Sequence, residues 1–261
     1  MGKHALVTGA SSGIGREMAL QLAERGYGVL LVARRRERLE ELRAEILRRH
    51  SVGVEVLPLD LSSPGAAVAV MDFLRMKGIS LEVLVNNAGI GMGGRFLEMK
   101  MEEIERMFQL NMLTLTHLTQ LVAREMVSQG HGYILNVASA AAFLPSPYVS
   151  AYSGTKAYVL NFSEGLRFEL RGTGVSVTTL YPGVTTTEFN DVAEVQHPPM
   201  MNASVLTAAQ VAKIGLRAMF RRRRSIVPGF INKVNAFFSQ AFHRGVVTWA
   251  AGTLLKKANR L

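Results

Sequence analysis

A tyrosine phenol titrates near pH ~10, so it exchanges protons at neutral pH only where its surroundings help. Tyr152 is followed four residues on by Lys156, a spacing that puts both side chains on one face of a helix. An ammonium so placed favours the phenolate and is expected to lower the tyrosine's pKa. Tyr-x-x-x-Lys by itself is also what an ordinary amphipathic helix carries. Ser139 adds a hydroxyl just past the apolar run Gly132–Val137, at the strand end where a parallel sheet meets its ligands. The other chemistry-bearing group opens the chain: Thr8-Gly-Ala-Ser-Ser-Gly-Ile-Gly15, after the strand-like run His4–Thr8 and leading into a helix near Ile14. That context makes a glycine turn a phosphate cradle. A dinucleotide held at one end and a proton moved at the other is what hydride transfer needs.

Within the turn, Gly9 permits the tight bend, Gly13 lets backbone amides approach a pyrophosphate, and Gly15 allows close helix–strand packing. Ser11, Ser12 and Ile14 fill the same segment, and the free amides of the helix N-terminus attract phosphate. Where the second strand ends, a carboxylate would read the ribose hydroxyls and repel a 2′-phosphate. This chain has Ala33-Arg34-Arg35-Arg36 there, so Arg34 and Arg35 favour NADP over NAD, guanidinium being suited to bidentate phosphate binding. The other reading of these arginines is a solvated first turn of the next helix. Asp60 ends the third strand and is placed to accept from the adenine amino group; it could instead cap a helix, although Ser62 or Ser63 is the better candidate cap.

The elements that must position these residues alternate. Apolar, β-branched runs at His4–Thr8, Gly28–Ala33, Val54–Leu59, Val83–Asn86, Gly132–Val137 and Val175–Tyr181 predict strands. Helical periodicity lies between them, as in Arg36–Arg49, where Leu39, Leu42, Ile46 and Leu47 are expected on one face. The pattern predicts an α/β fold, a Rossmann-like doubly wound parallel sheet covered on both faces. Gly132–Thr155 is uncharged and long, but Asn136, Ser139, Pro145 and Pro147 break it, so it reads as strand, loop and helix start rather than a membrane span. At 261 residues the chain suits a single domain: residues 1–228 form the cofactor-binding catalytic domain and 229–261 a basic, amphipathic helical extension.

Composition removes other chemistries. Cysteine is absent, so disulfides, thiol nucleophiles and thiolate metal sites are excluded. The six histidines do not fall at metal-ligand spacing, and no metal is expected. Ser139 lacks a Gly-x-Ser-x-Gly elbow, which argues against a hydrolase. The first strand starts too early for a signal peptide, and Leu6 stands where a myristoylation signal wants Ser or Thr, so a cytoplasmic location is expected.

Six motifs then stand in one order: Thr8-Gly9-x-x-x-Gly13-x-Gly15, Asn86-Asn87-Ala88-Gly89, Asn111, Ser139, Tyr152-x-x-x-Lys156 and Pro182-Gly183. Over about residues 3–190 the chain resembles the short-chain dehydrogenase/reductase family. The resemblance implies an NADP(H)-dependent oxidoreductase interconverting a carbonyl and an alcohol. Tyr152 would be the acid/base, Ser139 would polarise the carbonyl oxygen, and Lys156 would hold the nicotinamide ribose and tune Tyr152. Asn111 would anchor a water linking Lys156 to solvent. Leu61, Asn87, Ala88 and Gly89 would line the cofactor groove, and Pro182, Gly183, Val184 and Thr187 would form its closing loop, Thr187 touching the carboxamide. Relatives pair through the helices carrying Asn111 and Tyr152, which implies a homodimer or homotetramer. The alternative is a catalytically silent NADPH-binding regulatory protein.

The resemblance thins after residue 190, and there the charge is lopsided. The body to residue 194 carries nineteen basic against twenty acidic residues, while beyond it lie eleven basic residues and no acidic one. Phe230, Ile231, Val234, Phe237, Phe238, Ala241 and Phe242 share one helical face, opposed by Asn232, Lys233, Asn235, Ser239 and Gln240. Val246, Val247, Ala250 and Leu254 suggest a second helix. Three readings stay open: packing on the core or a second subunit, seating in an anionic membrane interface at its inner face, or a lid over a hydrophobic substrate. Arg221–Arg224 lacks interleaved aromatics, so nucleic acid is not expected. The aromatic face points to a lipophilic carbonyl, such as a long-chain acyl or steroid-like ketone.

Overall fold

Strands apolar at nearly every position need cover on both faces, and the computed structural model, which describes residues 3–189 and 205–259, supplies it. The strands in chain order are β1 (His4–Thr8), β2 (Gly28–Ala33), β3 (Val54–Pro58), β4 (Val83–Asn86), β5 (Gly132–Val137), β6 (Val175–Leu180), β7 (Thr185–Thr186), β8 (Leu206–Thr207) and β9 (Ser225–Ile226). Seven of them form one sheet, ordered β3-β2-β1-β4-β5-β6-β9, with every neighbouring pair parallel. β7 and β8 pair only with each other. The order reverses between β1 and β4, which opens a crevice at the carboxyl ends of those strands.

The helices are α1 (Gly13–Glu24), α2 (Arg36–Arg49), α3 (Ala66–Lys77), α4 (Met101–Phe108), α5 (Leu115–Gln129), α6 (Ser150–Glu169), α7 (Ala208–Phe220), α8 (Phe230–Ala241) and α9 (Arg244–Asn259). Alternation along β1 separates the two cores. Ala5 and Val7 face Met18, Leu22, Leu42, Ile46 and Leu216 of α1, α2 and α7. Leu6 faces Val70, Leu74, Leu118 and Met126 of α3 and α5. The uncharged stretch 132–155 divides into β5, a 3₁₀ turn at Ala140–Phe143 and the start of α6, as its prolines and polar residues require.

Two local expectations fail. Leu47 is half exposed, because it lies off the Leu39–Leu42–Ile46 stripe, whose members are buried. Neither Ser62 nor Ser63 caps α3; Gly65, at φ +78°, takes that position. Ser62 is already committed, since its amide and hydroxyl donate to Asp60 Oδ1 at 2.9 and 2.6 Å.

The C-terminal helices depart most from a core-packing reading. α8 spans nearly the expected residues, but the stripe it turns inward is Asn232 and Ala236, while Lys233 and Asn235 of the expected polar face are exposed. Phe230, Phe237, Phe238 and Phe242 are exposed, so the aromatic face does not pack on this chain's core. α9 repeats the pattern, with Val246, Trp249 and Leu254 exposed.

Candidate active site

One hydroxyl ties the start of the glycine turn to the end of β4. Thr8 Oγ1 accepts from the amides of Asn87 and Ala88 at 2.9 and 3.0 Å and donates to Val85 O at 3.2 Å. Asn87 Nδ2 donates in return to Thr8 O at 3.0 Å, so the ends of β1 and β4 are tied across the crevice. This closeness dictates the glycines. Gly9 sits at φ +66°, and a Cβ there would lie 2.8 Å from Asn87 Nδ2; a Cβ on Gly15 would meet that amide and Gly9 O. Arg16 N closes the first turn of α1 onto Ser12 O, and Ser12 makes no side-chain cap, so the turn's earlier amides keep the character of an anion site.

Arg35 reaches the same turn. Its Nε and Nη2 donate to Ser11 Oγ at 3.4 and 3.2 Å, and Nη1 pairs with Glu188 at 2.8 Å. The Arg35 hydrogen bond, with Arg38 beyond it, holds the Glu188 carboxyl below its usual range. Both oxygens of Asp60 are engaged, Oδ1 with Ser62 and Oδ2 with Arg106 at 2.8 Å. Partial burial pushes this carboxyl up, but the Ser62 hydrogen bonds, then Arg106 and Arg34, outweigh it and hold it low. Leu61 is buried in the α3–α5 core.

At the other end of the crevice, Ser139 caps the 3₁₀ turn, its Oγ accepting from Ala141 N at 3.2 Å. Tyr152 and Lys156 lie one turn apart on α6, with Lys156 Nζ 5.8 Å from the Tyr152 ring centre and donating to Val137 O at 3.1 Å. The expected lowering of the phenol is not what this environment produces. Burial pushes Tyr152 up to about 12, with the Ser139 hydrogen bond pulling the other way. Burial also pushes Lys156 down to about 8. The phenol's own burial, not the neighbouring ammonium, sets the direction of its shift.

Asn111 lies in a π-helical segment, Gln109–Thr114, between α4 and α5. It exchanges two hydrogen bonds with the Ile90 backbone, at 2.9 and 3.0 Å, and donates to Thr155 Oγ1 at 3.1 Å; Thr155 in turn donates to Tyr152 O at 2.7 Å. π-bulges of this kind recur at functional sites because they re-aim one side chain. Gly89 completes the floor: a Cβ there would lie 3.2 Å from Asn111 Oδ1 and 3.3 Å from Lys156 Nζ.

The loop after β6 joins the two ends. Pro182 O accepts from Ala140 N at 2.8 Å, fixing the loop to the Ser139 turn, and Gly183 and Val184 lead into β7. Thr187 lies against Gly13, its methyl 3.0 Å from where a Cβ would stand, so it sits at the glycine-turn end of the groove. Thr155, Ile90, Glu188 and Phe189, whose ring is 5.8 Å from that of Tyr152, went unread in the sequence. Only Thr155 had a cue, its place within Tyr-x-x-x-Lys. A dinucleotide fits these residues: cleared glycines, α1 amides and an arginine at one end, and a serine, tyrosine and lysine at the other.

Known proteins agree. The profile of the short chain dehydrogenase family matches residues 3–197. The very-long-chain 3-oxoacyl-CoA reductase-B of Danio rerio is 31% identical over 224 residues, covering 83% of this chain and 70% of that one. The 17-beta-hydroxysteroid dehydrogenase type 3 of Homo sapiens is 30% identical, covering 95% of this chain and 81% of that one. Among solved structures, a short-chain dehydrogenase from Sphingobium yanoikuyae in complex with NADPH superposes with a TM-score of 0.82 at 34% identity, over 94% of this chain and 95% of that one. With its six motifs gathered at one crevice, the chain belongs to the short-chain dehydrogenase/reductase family of nicotinamide-dependent oxidoreductases.

Proposed function

We propose that the protein is an NADP(H)-dependent oxidoreductase that interconverts a carbonyl and an alcohol on a lipophilic substrate, with Tyr152 as proton donor and acceptor. The observation that carries this reading is the convergence of Ser139, Tyr152 and Lys156 on one face of the crevice, opposite the glycine turn with Arg35. When bound, the nicotinamide supplies or accepts the hydride at the carbonyl carbon. Ser139 Oγ donates to the carbonyl oxygen and favours the charge that develops there. Tyr152, kept protonated by burial, gives its proton to that oxygen as it becomes an alcohol. Lys156, pushed to about 8, reloads the phenolate more readily than a lysine in water would. Asn111 and Thr155 position the backbone around both groups. Arg34 and Arg35, with Ser11, would take the 2′-phosphate and give the preference for NADP over NAD.

The named activities of the reductase and steroid dehydrogenase relatives support an acyl or steroid-like ketone. The protein is proposed to work as a homodimer or homotetramer in the cytoplasm, with residues 229–261 touching the inner face of a membrane. Among the described residues no helix is long and apolar enough to cross one. The test is NADPH oxidation across carbonyls graded from short and polar to long and apolar, with Tyr152→Phe alongside. Turnover that rises with chain length and vanishes in the variant is expected. Bound NADPH with no Tyr152-dependent turnover on any carbonyl would leave the regulatory reading in its place.

A further inference from the structure

α8 leaves its aromatic residues uncovered. Its inward stripe is small, Asn232 and Ala236: Asn232 Nδ2 donates to Pro228 O at 2.9 Å, and the Asn232 side chain fills the space a Cβ on Gly183 would need, 2.6 Å away. Its outward face is aromatic. Phe230 is 80% exposed, and Phe238 has its ring 5.8 Å from those of both Phe237 and Phe242. α9 continues this surface with Val246, Trp249 and Leu254, Trp249 being 74% exposed. A helix in water places such a face inward, so this surface is shaped for an apolar neighbour outside the chain.

Charge identifies the neighbour. Lys233, Arg244 and Lys256 stand exposed on these two helices, and no acidic residue occurs beyond Glu194. Exposed aromatic and aliphatic side chains on helices whose charged residues are all cations match an anionic lipid–water boundary, in which apolar groups seat below the headgroups that the cations meet.

We propose that α8 and α9 dock on an anionic phospholipid bilayer and hold the substrate cleft at its surface. This deepens the peripheral contact and lipophilic substrate proposed above. The link to the cleft is structural. α8 stands on the 140–143 turn that follows Ser139, and on Gly183 through Asn232. Gly252 of α9 abuts Pro147, whose Cγ is 3.1 Å from the place of a Cβ, in the loop leading to Tyr152. A lipophilic ketone leaving the bilayer beside these helices would meet the cleft before bulk water.

Trp249 is the chain's one tryptophan, so its fluorescence reports this surface alone. The full chain, without nucleotide or substrate, is mixed with vesicles of phosphatidylcholine and of phosphatidylcholine with phosphatidylglycerol. Trp249 emission is expected to move to the blue, and to be quenched by brominated acyl chains, only on the anionic vesicles. Neutralising Lys233 and Arg244 to Gln should weaken partition about five-fold per charge. Phe237→Ser with Phe238→Ser should abolish it while leaving helix content and NADPH binding unchanged. Emission unmoved by either vesicle overturns the proposal. Emission already blue in solution that turns red on dilution also overturns it, assigning the face to a second copy of the chain. No readout needs turnover, so failure here and failure of the proposed reaction are separable.

Discussion

Lys156 should weaken the fold it sits in. It is 4% exposed, and burial pushes its ammonium from 10.5 down to about 8. The folded chain therefore binds this proton less tightly than the unfolded chain, so the penalty is full below about pH 8 and fades as pH rises toward 10.5. Linkage gives roughly 3 kcal/mol at pH ~7 and under ~1 kcal/mol near pH ~10. The hydrogen bond to Val137 O at 3.1 Å returns about 1 kcal/mol. Methionine matches the length of the lysine stem and adds little cavity. Lys156→Met should then be more stable than the parent by about 2 kcal/mol at neutral pH, and the advantage should disappear near pH ~10. Urea unfolding of nucleotide-free protein at both pH values measures it. Burial also raises Tyr27, Tyr152 and Tyr181, which costs stability above about pH 10, but that loss is common to both proteins and cancels in the difference. A variant less stable at neutral pH, or a difference flat across the range, refutes the reasoning. Under the proposed mechanism the same variant loses turnover, so stability and activity move in opposite directions.

Arg34→Asp with Arg35→Ala should cut kcat/KM for NADPH by roughly 10- to 100-fold and favour NADH, since charge-assisted hydrogen bonds to a phosphate are worth about 1.5–3 kcal/mol; steady-state kinetics with both nucleotides decides it. Glu188→Gln should tighten NADPH about two- to five-fold and leave NADH unchanged, because this half-exposed carboxylate now occupies Arg35; equal effects on both nucleotides, measured by titration calorimetry, would show that Glu188 does not compete with the 2′-phosphate. Thr8→Val strands the amides of Asn87 and Ala88, and should lower unfolding free energy by roughly 2–4 kcal/mol and weaken nucleotide binding with it; denaturant midpoints and a binding isotherm check both.

The parts legible in the sequence were those with a local period. Strands such as β1, β2, β4 and β5 and helix α2 begin and end where the apolar runs and turn residues place them. The glycine turn, Ser139 and the Tyr152–Lys156 pair were readable because each lies at a strand end or on a single helical turn. What was hidden depends on distance in three dimensions. The phenol's pKa could not be read from Lys156 at i+4, because spacing says nothing of how far both groups are desolvated. Thr8 stands in the motif, but its role as the tie between β1 and β4 appears only when residues about eighty positions apart meet. Glu188 lies on a loop with no period, and its partner Arg35 is 153 residues away.

α8 marks the sharpest divide between pattern and placement. The hydrophobic period predicts the helix, yet amphipathicity does not say which residues turn toward the chain. That was settled by one polar side chain. Asn232 fits over Gly183 and finds Pro228 O, which holds the Asn232–Ala236 stripe inward and leaves the phenylalanines outside. A helix packed on a core with room would turn its aromatic side toward it. Here the covered side of the cleft is polar backbone with a glycine at the contact, so a small amide fits where a phenyl ring would not. The active-site loop thus decides the orientation of the C-terminal surface, and a change at Gly183 should disturb both.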